Sequence, residues 1–203
     1  MCDGQSEEPQ ARGKLIGLDR RELLLDHANG DKEAFAELMS IYRAPVYTYL
    51  VRLGIEGAAR DDLFQEVFIK IHCAASAYDP AFALVPWIYT IVANTARSFY
   101  RKERIRGLSG ESIEMEASQE PASDEKLAAR ETALWLQAAL KKLPFDQREV
   151  LLLCSTGSLQ QEDVGKILNM PHNTVKTNLR RARMSLAKAL MQRNARISSE
   201  AAR

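Results

Sequence analysis

Little in this sequence sets its overall charge apart. Twenty-eight Lys and Arg stand against 27 Asp and Glu over 203 residues, a formal net charge of +1. Bulk electrostatics therefore makes no case for a polyanionic partner, and any such case must come from local patches. Cysteine is scarce. Cys2, Cys73 and Cys154 are far apart, form no C-x-x-C pair and have no nearby histidine to complete a zinc site. They read as free, reduced thiols. His27, His72 and His172 are scattered and sit in no recognisable motif. Without a nucleophile–base set or a metal cluster the chain does not read as an enzyme, and no cofactor or metal is expected. Asp61, Asp62 and Glu66 make a thin metal set; sharing one helix face, they read better as a docking or solvated surface. The longest apolar run, around AFALVPWIYTIVA, is too short to span a bilayer and contains Pro86. The opening MCDGQSEEPQARG is polar and acidic, unlike a signal peptide. The expectation is a cytoplasmic protein with no direct membrane insertion. Strand-like alternation is sparse, and neither an internal repeat nor a heptad run is present.

What is there is helical periodicity in two blocks. Residues 1–17 read as a disordered tail. Residues 18–106 are helical, punctuated at Gly30, Gly54, Gly57 and Pro80. Residues 107–125, GLSGESIEMEASQEPASDE, carry six acids and no base, a composition that cannot bury a core, and read as a flexible linker. Helical periodicity resumes over 126–193, and 194–203 reads as a polar tail. The expected fold is all-α: two small helical domains on a flexible acidic tether, each free to act almost independently.

The second block holds a helix-turn-helix pattern, GSLQQEDVGKILNMPHNTVKTNLRRARMSLAK. Ser158 and Gln161 have the spacing of a capping box, which predicts a helix from near Leu159. Asn169 suits its end and Pro171 the first turn of the next helix. In that next helix Val175, Leu179, Ala182 and Leu186 share a seam, and Thr177, Arg180, Arg181, Met184 and Lys188 lie opposite. Between Asp163 and Glu200 there are eight Lys or Arg and no acid. Such a helix suits the major groove, where arginines read guanine edges and lysines and hydroxyls hold phosphates. A solvated charged face is the plain alternative.

Two stretches of the first block carry further chemistry. ARDDLFQEVFIKIH buries Leu63, Phe64, Val67, Phe68 and Ile71 and leaves Asp62, Gln65, Glu66, Ile69 and Lys70 outside. Asp62 and Glu66 are like charges one turn apart, a small cost that a basic partner would offset; a simple Glu66–Lys70 pair accounts for the face equally well. PWIYTIVANTARSFYRKERIR places Asn94, Arg97, Tyr100 and Arg101 on one face. That mixture of cations, an amide and an aromatic suits melted nucleic acid.

Together these stretches resemble the extracytoplasmic-function (group IV) sigma factors of bacterial RNA polymerase. The resemblance covers about residues 18–190 with the motifs in the family's order. It implies a region 2 domain at 18–106 and a region 4 domain at 126–193. It implies core polymerase binding by Asp62, Leu63, Gln65, Glu66 and Phe68. Minus-10 recognition falls to Asn94, Arg97, Tyr100 and Arg101, with AYDPAFALV (77–85) in the place of the flipped-base pocket. Minus-35 recognition falls to Thr174, Lys176, Thr177, Arg180 and Arg181. The implied partners are core RNA polymerase, promoter DNA and an anti-sigma factor. His172-Asn173, Gly165 and Ser98 depart from the family's usual residues, and Gly165 is expected to cost only helix stability, about 1 kcal/mol against Ala. From the residues alone, a stand-alone helix-turn-helix regulator and a helical interaction module stay open.

Overall fold

The structure, a computed structural model, describes residues 20–106 and 124–201. The expected N-terminal tail, and the expected linker up to residue 123, lie outside the described residues. Every regular element among those described is helical: α1 (Arg21–Ala28), α2 (Lys32–Leu53), α3 (Gly57–Ala74), a single 3-10 turn at Ala75–Ala77, α4 (Leu84–Arg106), α5 (Asp124–Lys141), α6 (Phe145–Cys154), α7 (Gln161–Leu168) and α8 (His172–Ala201).

Local chemistry sets the ends. Asp31 caps α2, its carboxylate accepting from the backbone N–H groups of Glu33 at 2.8 Å and Ala34 at 3.2 Å. Gly54 ends the same helix in the left-handed region at φ 93°, and the Ile55 N–H returns to the Leu50 carbonyl at 3.2 Å. At α7 the sequence reading needs correction. The helix begins at Gln161 with Gln160 as its cap, and the Asp163 carboxylate accepts from the Gln160 N–H at 2.9 Å. The acid three residues after the cap belongs to this later frame, and the Ser158–Gln161 spacing is incidental. Asn169 ends α7 in the left-handed region, as its position suggests. Two further boundaries differ. Helix α5 takes in Asp124 and Glu125, and α8 runs to Ala201, so residues 194–201 are helical.

The buried apolar side chains form one connected cluster across both blocks. Leu24, Leu38, Val46, Leu50, Ile71, Leu84, Ile88 and Val92 fill the first half. Val150, Leu153, Val164, Ile167, Leu168, Val175, Leu179 and Ala182 fill the second. The halves pack directly: α4 lies on α7, and α2 meets α5 and α6. The expectation of two independent bodies does not describe this arrangement. Within the second half, α7 and α8 approach closely at Gly165, where an added Cβ would come within 3.0 Å of the Met170 carbonyl oxygen. Gly165 therefore serves close packing at the turn and is more than a weak helix former.

Gly54 sits where turn geometry and domain contact coincide. A Cβ there would fall 2.9 Å from the Arg148 guanidinium and 3.5 Å from the Tyr100 hydroxyl. Gly30, at φ 106°, has nothing within 4 Å of the same position. Both glycines carry the conformational penalty of replacement, but only Gly54 carries the steric one. Gly54→Ala should cost about 1–3 kcal/mol in denaturant unfolding, and clearly more than Gly30→Ala. Equal losses would show that the Arg148 approach is not a constraint.

Candidate nucleic-acid and polymerase interfaces

Helix α8 presents the two faces its sequence requires. Val175, Leu179 and Ala182 are buried against α6 and α7, with Leu186 half-buried. Thr174, Lys176, Thr177, Arg180 and Arg181 are all exposed, and none forms an ion pair with a described residue. The Thr177 hydroxyl donates to the Asn173 carbonyl at 2.8 Å. An unpaired cationic face on a helix locked by its opposite seam is the arrangement that groove reading needs.

Helix α4 is divided. Asn94 and Arg101 are exposed, and Asn94 lines a hollow of about 430 Å³ with Lys70, Cys73, Ile91, Thr95 and Ser98. Arg97 and Tyr100 turn instead onto the second half. Arg97 Nε donates to Glu149 Oε2 at 2.8 Å, and its NH1 donates to the Leu168 carbonyl at 2.8 Å. Tyr100 donates to the Leu53 carbonyl, and its ring lies 4.5 Å from that of Phe145. Arg148 reaches the same Leu53 carbonyl at 2.6 Å, and Lys141 pairs with Glu56 at the rim. The Leu53 and Leu168 carbonyls are C-terminal helix groups without intrahelical partners, so these donors also close helix ends. The four residues expected to form one minus-10 face thus fall into an open pair and a covered pair.

Helix α3 exposes Asp62, Gln65 and Glu66. Leu63 and Phe68, which the resemblance placed with them, are each only 4% exposed and belong to the core. Glu66 pairs with Lys70 at 2.6 Å. Ile69 is 61% exposed beside them, an apolar group with no internal role. Before α4, the loop over residues 78–83 is held by four contacts. Tyr78 donates to the Phe82 carbonyl at 2.6 Å, and Arg21 donates to the Pro80 carbonyl at 2.7 Å. Asp79 accepts from the Ala81 N–H at 2.9 Å, and Trp87 sits edge-on to Tyr78 at 5.1 Å. That frame leaves Phe82 66% exposed at the tip.

The fold also brings together residues that the sequence keeps apart. His27 Nε2 lies 2.8 Å from His72 Nδ1, and His27 Nδ1 lies 3.2 Å from the Asp31 carbonyl oxygen. No group of three or more metal-ligating side chains occurs among the described residues, nor is any of their helices long and apolar enough to cross a membrane.

Comparison with known proteins fits this geometry. Residues 38–105 match Sigma-70 region 2 and residues 133–186 match Sigma-70 region 4. The ECF RNA polymerase sigma factor EcfG of Rhodopseudomonas palustris is 34% identical over 144 residues, covering 70% of this chain and 77% of that protein. Among solved structures, CnrH in complex with the cytosolic domain of CnrY superposes with a TM-score of 0.65 at 23% identity, covering 86% of this chain and 98% of that one. The sigma factor RpoE in complex with the anti-sigma factor NepR, from Bartonella quintana, gives 0.63 at 23% identity, covering 77% and 96%. The chain belongs to the extracytoplasmic-function sigma factors of RNA polymerase, a family of initiation factors without catalytic activity of their own.

Glu149 has no exposed surface. Burial pushes its carboxyl up to about 7, with Arg97 pulling it down and Asp146 adding to the rise. The folded chain therefore holds this proton more tightly than the unfolded chain between about pH 4.5 and 7. The resulting stability is fully present below that window and is lost as pH rises through about 7. Melting temperatures of wild type and Glu149→Gln, measured from pH 5 to 8, should diverge by several degrees, with wild type losing relative stability as pH rises. Parallel curves would remove Glu149 as the source.

Proposed function

We propose that this sigma factor divides promoter-specific initiation among three surfaces. Helix α8 reads the minus-35 element with Thr174, Lys176, Thr177, Arg180 and Arg181. Helix α4 and the loop before it take the minus-10 element, through Asn94 and Arg101 first and through Arg97 and Tyr100 once they are free. The exposed Asp62, Gln65 and Glu66, with Ile69 at their centre, dock on core RNA polymerase. Leu63 and Phe68 act there by holding the helix in place. The division into working units at 18–106 and 126–193, joined by the acidic segment, belongs to the same reading. So does a cytoplasmic location, where core polymerase is found.

The observation that carries this reading is the exposed face of α8, with Lys176, Arg180 and Arg181 free of ion pairs among the described residues and set against the seam of buried Val175, Leu179 and Ala182. Its charge is local, which reconciles promoter binding with a net charge of +1. Control by an anti-sigma factor is supported by the RpoE relative, which was solved bound to NepR.

Promoter-specific run-off transcription with purified core polymerase tests the reading. Activity at the same promoters without core polymerase would favour a stand-alone regulator. Two substitutions divide the surfaces. Arg181→Ala should weaken promoter binding by about 1–3 kcal/mol and relax preference at one minus-35 position if it reads a base; a uniform loss across promoters would make it a phosphate contact. Asp62→Lys should weaken holoenzyme assembly by roughly tenfold without a change in melting temperature, since Asp62 lies off the buried stripe. Wild-type affinity for core polymerase in that variant would move docking away from α3.

A further inference from the structure

The covered half of the α4 face has one unusual property: its cation is held by groups from the other half. Arg97 is 23% exposed and Glu149 is fully buried. Both partners of Arg97, the Glu149 carboxylate and the Leu168 carbonyl, lie on α6 and α7. Ala93 and Ala96 are also fully buried and share the Arg97 side of α4 at helical spacing, where small side chains admit a neighbouring helix. A buried ion pair adds little net stability, because desolvating both charges offsets their attraction. Removing one partner alone is costly, because the other charge is then stranded. Such a pair glues weakly and gates strongly. With the halves together Glu149 Oε2 is paired while its buried Oε1 has no hydrogen-bond partner among the described residues; fully apart, both groups are satisfied by water; in between, neither is.

We propose that the Arg97–Glu149 pair is a latch between the two promoter-reading halves, and that a DNA backbone phosphate competes with Glu149 for the Arg97 guanidinium. Carboxylate and phosphate are the two anions a planar guanidinium binds best, and Glu149 takes only the Nε–H of Arg97 while NH1 goes to Leu168. With the latch closed, Arg97 is satisfied internally and Tyr100 is sealed between Leu53 and Phe145. With it open, both return to the face that carries Asn94 and Arg101. Opening the chain and engaging melted promoter DNA are then one coupled equilibrium, and each must promote the other by the same factor. The inference rests on the assignment of α4 to promoter contact. Its test separates the mechanical claim from that assignment.

The interdomain distance is read in the full chain by spin or dye labels at Ala58→Cys and Ala187→Cys, both exposed positions, with Cys2, Cys73 and Cys154 replaced by Ser. Wild type should show one dominant distance. Glu149→Ala removes the acceptor that holds Arg97; it should raise the population at other distances roughly tenfold and tighten binding of the free protein to a promoter fragment with a pre-melted minus-10 bubble. Arg97→Gln should open the chain to the same degree and weaken bubble binding. Opposite DNA effects from equal opening are the signature of competition, and a merely structural role would move both variants the same way. Titrating the bubble into wild type should itself shift the distance, a measurement that needs no variant to fold. An unchanged distance distribution in Glu149→Ala would overturn the latch. Bubble binding that leaves the wild-type distance unchanged would overturn the competition. Normal latch behaviour with no run-off activity in any form would fault the functional assignment alone.

Discussion

A carboxyl group without exposed surface must be neutralised by a proton or a cation, and the cation beside Glu149 comes from the opposite half of the chain. That requirement organises much of the rest. Arg97 cannot reach Glu149 without α4 lying across the end of α7, and once there it also closes the Leu168 carbonyl. The placement of α7, and of the reading helix α8 that packs on it, is thus fixed partly by a side chain from region 2. The absence of a side chain at Gly54 belongs to the same constraint, since Arg148 and Tyr100 converge on the Leu53 carbonyl beside it. Beside the apolar cluster that runs through both halves, the interface carries charged and polar groups aimed at helix ends. Such contacts tie geometry to protonation and to competing anions, whereas an apolar interface would respond to neither.

Most of the helical architecture was legible because amphipathic periodicity is a direct consequence of one-sided burial. The seam of α8, the stripe of α3 and the left-handed end at Asn169 follow from residue type and spacing alone. Errors came where spacing admits two frames. Ser158 with Gln161 and Gln160 with Asp163 are equally plausible caps, and the choice falls to the frame whose acid meets the cap N–H. Other misses came from distance along the chain. A helical wheel shows that Asn94, Arg97, Tyr100 and Arg101 share a side, but not that two helices 45 to 71 residues further on cover half of it. Glu149 sits inside REVLLL, where an acid before an apolar run reads as a helix start rather than as an interior anchor. Leu63 and Phe68, which the resemblance names with the core-binding residues, are buried; a motif records which residues a surface needs, including those that support it from beneath.

The α8 face and the α3 face handle charge differently. On α3, Glu66 is already paired with Lys70, so a basic partner must compete with an existing contact, and the unpaired Asp62 and exposed Ile69 offer the freer contribution. On α8, Lys176, Arg180 and Arg181 have no ion-pair partner among the described residues. A nearly neutral chain thereby keeps one strongly polarised helix.

The contact between His27 and His72 carries an order of its own. The Asp31 carbonyl can only accept, so the hydrogen on His27 must reside on Nδ1, and its Nε2 is left as a lone pair. His72 must then supply the hydrogen of the 2.8 Å contact from Nδ1, which leaves its own Nε2 as the basic nitrogen outside the chain of donors. The two rings are locked into a single tautomeric sequence running from α3 through α1 to the turn before α2.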